Sequence, residues 1–307
     1  MKTYDVAVIG EIYVDHVFTG FAGWPQPGEE VFTSQYVQEL GGGAAITACA
    51  LGQLGRSVTL VGLVGRKDMP WVAQRLAQFG VESAGLLSGD LGTGVTVSIS
   101  NRVERSFFTY LGVNSQLQEP WAVAAMLDGI SRARHVHLAF PVEARLATVL
   151  LDRARQGGLT TSLDVGHQPR WLLDPANRAT CARLDYLLPN EREAKILAGG
   201  DAWDYLRFTE TNNWPSGLVK MGSQGALMWD RTGTVRVKAC DVETIDTTGA
   251  GDAFDAGFID GLLDGESNEE CLRRGCICGS LSTRVAGALG GLPGRPDFVR
   301  CYEETYG

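Results

Sequence analysis

The sequence predicts an α/β fold: a central, mostly parallel sheet flanked by helices, with a small β-sheet lid projecting from it. Three observations lead there. Short apolar or β-branched runs alternate with helix-length segments along most of the chain, as in a parallel sheet covered on both faces. Two stretches, about 12–38 and 94–113, read as strands with no helix between them. Beyond residue 250 the pattern turns helical. No repeat, low-complexity tract or long linker divides the chain, so residues 1–307 are expected to form one domain.

Taken in order, residues 6–9 form the first buried strand and 12–38 the first part of the lid. A helix at 44–54, a strand at 58–64 and a helix at 70–79 follow. Residues 95–100 alternate apolar and polar, as an antiparallel strand buried on one face does. A short polar turn leads to a second lid strand at 105–110, and the open face of this small sheet is placed to cover a ligand. Helices at 120–130, 143–156 and 191–198 then alternate with strands at 135–140, 160–165 and 186–188. Strands at 218–221 and 226–229 precede two helices, at about 250–264 and 268–287.

Composition narrows the function classes. The chain is 44% hydrophobic and 21% charged, ordinary for a globular protein with a sizeable core. Its formal net charge of −9, from 27 Lys+Arg and 36 Asp+Glu, argues against a non-specific nucleic-acid binder, while leaving room for a small anionic ligand. The seven cysteines are odd in number and dispersed; the only close pair, Cys276-Ile277-Cys278, has neither CxxC nor zinc spacing, so buried free thiols are expected. The first ten residues are too short and too charged for a signal peptide, and no run approaches about 18 apolar residues. A cytoplasmic protein with no membrane partner is the expectation.

The chemistry concentrates in Asp246-Thr247-Thr248-Gly249-Ala250-Gly251-Asp252-Ala253-Phe254-Asp255-Ala256-Gly257. Apolar or small residues at 253, 254, 257, 258 and 262 mark one helix face, so the Gly-Ala-Gly turn opens a helix. The first N–H groups of a helix lack intrahelical partners, and the dipole leaves that end partly positive. Small residues let an anion approach them. A carboxylate in the same turn is placed to take a proton from a group attacking a bound phosphate. Elsewhere, Gly41-Gly42-Gly43 lies between a strand and a helix, where it permits close backbone approach. It is not a GxGxxG fingerprint and does not follow the first strand, and no GxxxxGK[ST] occurs, which removes the dehydrogenase and standard P-loop readings. On spacing alone, Asn190-x-x-Glu193 is a helix N-cap with its capping-box partner.

Over nearly its full length the chain resembles the ribokinase-like (PfkB) carbohydrate kinase family. Residues 246–257 match the family's D-T-x-G-A-G-D-x-F-x-x-G signature, Gly41-Gly42 its N-terminal glycine loop, and Asn190 and Glu193 its N-x-x-E element. The segment 219–226 matches its strand-turn-strand, and Gly10 and Asp15 an early Gly-x-x-x-x-Asp. The resemblance implies a role for each. Asp252 resembles the general base acting on a hydroxymethyl group, and Gly249, Ala250 and Gly251 resemble the anion hole for the transferring phosphoryl group. Asn190 and Glu193 resemble the pair that organises Mg²⁺, largely through water. Lys220, Gly222, Ser223 and Gly225 fall at the turn beside the nucleotide. Ala286 and Gly287, in the run 286–290, resemble the loop that walls the adenine. Asp246 and Thr248 stand where some members bind a monovalent cation such as K⁺. Asp15, with Gly41, Gly42 and Gly43, resembles the substrate-binding set.

On the substrate side the chain departs from the family pattern. Ile46 stands where many members have Asn, Gly43 where ribose-specific members have Lys, and Tyr13 where those members have Asn. A pocket less polar than theirs is implied. Arg105 in the lid is a candidate partner for a substrate carboxylate or phosphate. Phe107, Phe108, Tyr110 and Trp24 are candidates for the lid's ligand face or for contact with a second copy, since lids of this family often pair into homodimers. Asp164 and His167 lie near a strand end, where α/β proteins bind ligands. The resemblance implies an ATP- and Mg²⁺-dependent kinase acting on a primary hydroxyl of a sugar or sugar acid. A nucleoside kinase and a non-catalytic sugar or nucleotide sensor are the alternatives.

Overall fold

A computed structural model describes residues 2–21, 23–101, 105–166 and 168–307; the side chains of Ser100, Asn101 and Arg105 are outside that description. The strands are β1 (Tyr4–Gly10), β2 (Tyr13–Phe21), β3 (Gln35–Gly41), β4 (Val58–Gly65), β5 (Leu86–Gly89), β6 (Gly94–Asn101), β7 (Arg105–Tyr110), β8 (Ala133–Ala139), β9 (Thr160–Asp164), β10 (Tyr186–Leu187), β11 (Ser216–Lys220), β12 (Ala226–Asp230) and β13 (Gly233–Val237). The helices are α1 (Gly43–Gln53), α2 (Met69–Ala77), α3 (Pro120–Arg132), α4 (Ala144–Gln156), α5 (Pro169–Leu173), α6 (Pro175–Cys181), α7 (Glu191–Ala198), α8 (Ala202–Thr211), α9 (Ala250–Asp264), α10 (Asn268–Ser282) and α11 (Arg295–Tyr306).

The main sheet runs β10-β9-β8-β1-β4-β5, parallel at every pairing. Strand β1 shows why its sequence is apolar without alternation. Ala7 and Ile9 enter a core shared with Met126, Ile130, Leu150 and Leu151 of α3 and α4. Val6 and Val8 enter another, shared with Leu51, Val72 and Ile259 of α1, α2 and α9. Both faces are buried, so both must be apolar. The chain leaves β1 toward β4 and β5 on one side and returns to β8, β9 and β10 on the other. This reversal opens a crevice at the C-terminal ends of β1 and β8, the usual ligand position in such sheets. At its floor a Cβ on Gly10 would lie 2.3 Å from the Ala139 carbonyl oxygen, so the residue there has to be glycine.

Strands β11, β12 and β13 form a separate antiparallel sheet. It meets the main sheet at the parallel bridge between Asn190 and Lys220. The four-stranded sheet β3-β2-β6-β7 is antiparallel except for the β2–β6 pair, and occupies the two stretches that broke the alternation. Its register places Asp15, Glu39, Thr96, Thr109 and Phe107 on one face and Phe18, Tyr36, Val97, Phe108 and Tyr110 on the other.

Three differences from the sequence expectations have clear causes. Helix α10 stops at Ser282 rather than continuing to 287: the Thr283 carbonyl accepts from the Ile245 and Asp246 N–H groups instead of a further helical turn, and 286–290 runs as a loop in which Gly287 takes a left-handed φ of 86°. Helices α8 and α11 were not expected: they bury few apolar residues, and α8 owes its start to the reciprocal Asp201–Asp204 capping box. In α9 the fully buried Asp260 gathers Arg56 (2.6 Å), Arg274 (2.8 Å) and Arg295 (2.7 Å), an ionic knot inside a helix whose sequence reads as apolar. All seven cysteines are buried and unpaired, and no helix among the described residues is long and apolar enough to cross a membrane.

Candidate active site

The site is built around the start of α9. Gly249 caps the helix at φ 74°, and a Cβ there would lie 2.8 Å from that of Ala288, so both backbone and space require glycine. The turn is held by Asp246: its Oδ1 accepts from the Thr248 N–H (2.9 Å) and Oγ1 (2.7 Å), and its Oδ2 from the Gly287 N–H (2.9 Å). Asp246 thus ties the glycine turn to the loop holding Ala286 and Gly287. The Ala250 N–H turns back to the Thr247 carbonyl at a long 3.3 Å. The first turn of α9 therefore presents weakly engaged donors at the positive end of a 15-residue helix.

Asp252 sits in that first turn, partly exposed, with its main-chain carbonyl accepting from Thr47 Oγ1 at 3.2 Å. Burial, then the nearby Asp164 carboxylate, pushes its pKa up to about 7, while Lys220 works in the opposite direction. Carboxylate oxygens of Asp164, Asp252 and Asp255 all come within 4.8 Å of one another. The Lys220 ammonium pairs with two of them: its Nζ lies 2.5 Å from Asp164 Oδ2 and 3.0 Å from Asp255 Oδ1. Burial disfavours that charge, but Asp164, Asp255 and Glu193 outweigh it and raise the lysine pKa. Lys220, expected beside the nucleotide, is thus turned inward beneath the first turn of α9 and is 8% exposed. Asp164, at the end of β9, joins the cluster; His167 lies outside the described residues. In the neighbouring strand β8, His137 is fully buried, and burial pushes its pKa down to about 4, so it is neutral.

On the sheet side, Asp15 lies over the glycine loop: a Cβ on Gly41 would fall 2.0 Å from Asp15 Oδ2. Burial raises the Asp15 pKa to about 6, opposed by a hydrogen bond from Thr96 and assisted by Glu39. Gly42 has φ 90°, and a Cβ on Gly43 would lie 2.9 Å from Asp252 Oδ1. The glycine loop therefore clears the space between the two aspartates. Glu39 is held by a bidentate pair with Arg75. Tyr13 donates to Glu11 at 2.8 Å. Ile46, 4% exposed, packs toward Gly249 and adds no polar atom. Arg105 begins β7, but its side chain is not among those described. Phe107 shares the Asp15 face and is 53% exposed; Phe108 and Tyr110 lie on the opposite face, and Trp24 is partly exposed in the loop after β2.

Toward the three-stranded sheet, Asn190 caps α7. Its side chain accepts from the N–H groups of Arg192 (2.9 Å) and Glu193 (3.1 Å), while Glu193 accepts from the Asn190 N–H (2.9 Å) and Nδ2 (2.7 Å). The capping box read from spacing is present. Burial and the Asp164 charge lift the Glu193 pKa to about 7. Both its oxygens are already engaged by Asn190, so the pair suits a metal held through water better than one bound directly. Gly222 and Ser223 form a short turn between β11 and β12. Gly225 closes it, where a Cβ would lie 1.9 Å from the Val237 carbonyl oxygen. A cavity of about 480 Å³ lined by Lys238, Asp241, Glu243, Arg284, Arg300 and Glu304 shares none of these residues.

A family model described as pfkB family carbohydrate kinase matches residues 3–295. The chain is 26% identical over 312 residues to a ribokinase of Haemophilus influenzae, covering 98% of this chain and 99% of that one. It is 33% identical over 264 residues to an ATP-dependent ribose-1-phosphate kinase of Halopiger xanaduensis, covering 85% and 86%. Arabidopsis thaliana ribokinase, solved with ribose and ATP, superposes with a TM-score of 0.83 at 23% identity, covering 98% of this chain and 99% of that one.

Proposed function

The chain belongs to the pfkB family of carbohydrate kinases, phosphotransferases with an alcohol acceptor, and on that premise we propose that it transfers the γ-phosphoryl group of ATP to a primary hydroxyl of a small sugar or sugar acid. One observation carries this reading: the Asp252 carboxylate, its pKa pushed up to about 7 by burial and by Asp164, stands in the first turn of α9 directly after the Gly249-Ala250-Gly251 turn. A base titrating near neutral pH matches the driving force of proton removal to the fraction of base available.

In this mechanism Asp15 orients the substrate hydroxyls, and Asp252 takes the proton from the attacking hydroxymethyl oxygen. That oxygen forms the new bond to the γ-phosphorus as the bond to ADP breaks. Charge on the transferring group rests on the N–H groups of Gly249, Ala250 and Gly251. Gly222, Ser223 and Gly225 on one side, and Ala286 and Gly287 on the other, border the nucleotide. Asn190 and Glu193 would hold Mg²⁺ through water. The metal supplies positive charge for the phosphates, which Asp164, Asp252 and Glu193 would otherwise repel. Asp246 and Thr248 are the proposed monovalent-cation position; saturable activation by KCl over choline chloride would support it.

The four-stranded sheet acts as a lid that carries Asp15 on one face, and its opposite, aromatic face, with Phe108 and Tyr110 more than half exposed, suits a second copy of the chain. The seven unpaired cysteines suit a reducing cytoplasm. Phe107 favours a second reading, a nucleoside kinase: it is an exposed aromatic on the Asp15 face, able to stack on a base. The test is ADP release from Mg·ATP across ketoses, aldoses, sugar acids and nucleosides, with Asp252→Asn alongside. Turnover confined to one class and lost in the variant supports the kinase. Silence across the panel, with ATP still bound, favours a sensor.

A further inference from the structure

The family signature leaves position 255 open, yet in this chain it holds an aspartate one helical turn after the base, on the same face of α9. Three carboxylates, Asp164, Asp252 and Asp255, crowd within 4.8 Å of one another around the single ammonium of Lys220. Like charges so close, and withdrawn from water, do not all ionise. One of the three holds a proton, and the hydrogen bonds identify it. Asp164 accepts from Lys220 at 2.5 Å and from the Gly166 N–H at 2.7 Å, both of which favour its anion. Asp252 is partly exposed in the crevice. Asp255 is completely buried; its Oδ1 accepts from Lys220 at 3.0 Å, but its Oδ2 has no donor at all. A buried acceptor without a donor is costly, and a proton on Oδ2 turns it into a donor with Asp164 in reach.

We propose that Asp255 is a neutral, protonated carboxylic acid that acts as a positioning residue for the base. Its Oδ2–H donates to Asp164 and its Oδ1 accepts from Lys220. The one lysine charge is then left to hold Asp164 and Asp252 as anions. The surrounding groups agree. Burial raises the Asp255 pKa well above the carboxylate range; the Asp164 and Asp252 charges add to this, and Lys220 opposes it. Despite its burial, Asp164 is held below its ordinary value by Lys220. Among the described residues the remaining titratable neighbours supply no second cation: Asp15 on β2 and Glu193 on α7 are acids, and His137 on β8 is neutral. An ionised Asp255 would draw Lys220 away and raise Asp252 above its working range.

The positioning role rests on the kinase reading; the proton itself does not, and it can be read without substrate. Infrared difference spectra of wild type against Asp255→Asn at pH 8 are expected to show a neutral carboxylic acid band in the wild type that the variant lacks. The absence of that band overturns the proposal. In kinetics, Asp255→Leu is expected to lose about tenfold or more in kcat at unchanged KM for ATP. Asp255→Asn, which keeps one acceptor and one donor, recovers most of that loss. Equal impairment of the two variants overturns the hydrogen-bonding role. Should the leucine variant fail to fold, the acid limb of kcat/KM in Asp255→Asn decides the matter. It stays near its wild-type position if a neutral group was replaced, and a fall of about a unit or more means an anion was removed and refutes the idea. A wild type inactive on every acceptor would refute the kinase reading and leave the infrared result standing.

Discussion

Asp252→Asn is expected to abolish most activity and, at the same time, to make the protein more stable. Burial and Asp164 hold the native Asp252 pKa at about 7 against an ordinary 3.8. Those roughly three units correspond to about 4 kcal/mol at most, at about 1.36 kcal/mol per unit. Partial exposure and relaxation around the charge reduce this to about 2–4 kcal/mol. The native pKa lies above the unfolded one, so the native state binds the proton more tightly. The ionised form therefore destabilises the fold progressively as pH rises from about 4 to about 7, and by the full amount above. Asparagine carries no such charge. With an unfolding entropy of about 2.1 cal/mol/K per residue over 307 residues, the gain at pH 8 is about 3–6 °C in Tm. Calorimetry of both proteins from pH 8 down to pH 5 measures it, and by pH 5 the margin should have shrunk below half. Turnover, followed by ADP release, should fall by about two to four powers of ten. In the wild type, kcat/KM should drop about tenfold per unit below pH 7. A variant no more stable than wild type at pH 8, or more stable by the same margin at every pH, would refute the assignment of a strained base.

Three further outcomes follow from the geometry. Gly43→Ala places a Cβ 2.9 Å from Asp252 Oδ1, and should lower kcat by about tenfold with unchanged Tm; unimpaired turnover would mean that the carboxylate simply gives way. Asp260→Asn leaves the three arginines around a buried neutral group and should cost about 3–5 kcal/mol, a fall of about 5–8 °C in Tm, with kinetics intact well below melting. Glu193→Gln should raise the Mg²⁺ concentration for half-maximal activity by about tenfold at fixed ATP, as loss of a water-mediated anchor does; an unchanged midpoint would leave Glu193 as a helix cap only.

The legible parts of this fold are those where one physical constraint dominates a run of residues. Strand β1 is apolar from Val6 to Ile9 because both of its faces are covered there, and α9 was placed by its spacing from the glycine turn onward. The lid strands were visible because residues 95–100 alternate apolar and polar and no helix intervenes, although the burial runs otherwise: Ser98 is buried, Val95, Val97 and Ile99 are half-buried, and residues 107–110 of β7 are exposed on both faces. Where several weak forces share the work, the signal vanished. Helix α8 rests on a capping box between Asp201 and Asp204, and α11 buries only Phe298 and Cys301. The C-terminal overrun of α10 came from reading Ala286 and Gly287 as helix, when Asp246, 41 residues from Gly287 in sequence, takes the Gly287 N–H for the glycine turn.

The same division runs through the site. Asp252, Gly249 and Asp246 could be proposed from sequence because they lie within one seven-residue segment, 246–252. Lys220, Asp164 and Asp255 come from β11, β9 and α9, two sheets and a helix, and only their packing in the fold brings them together. One clue stood in the sequence: an acidic residue at 255 inside a helix whose neighbours 253, 254, 256 and 257 are small or apolar. A buried carboxylate survives there only with a partner. Spacing cannot name that partner, because a lysine at the end of a strand reads as solvent-facing until the adjoining helix covers it. Here the helix does so with its first turn, where Lys220 Nζ comes within 3.4 Å of a Cβ built on Gly251. The glycine turn and the buried ammonium are two sides of one layer of backbone. The N–H groups proposed to receive phosphate from above would be supported from below by a charge that no single segment of the chain reveals.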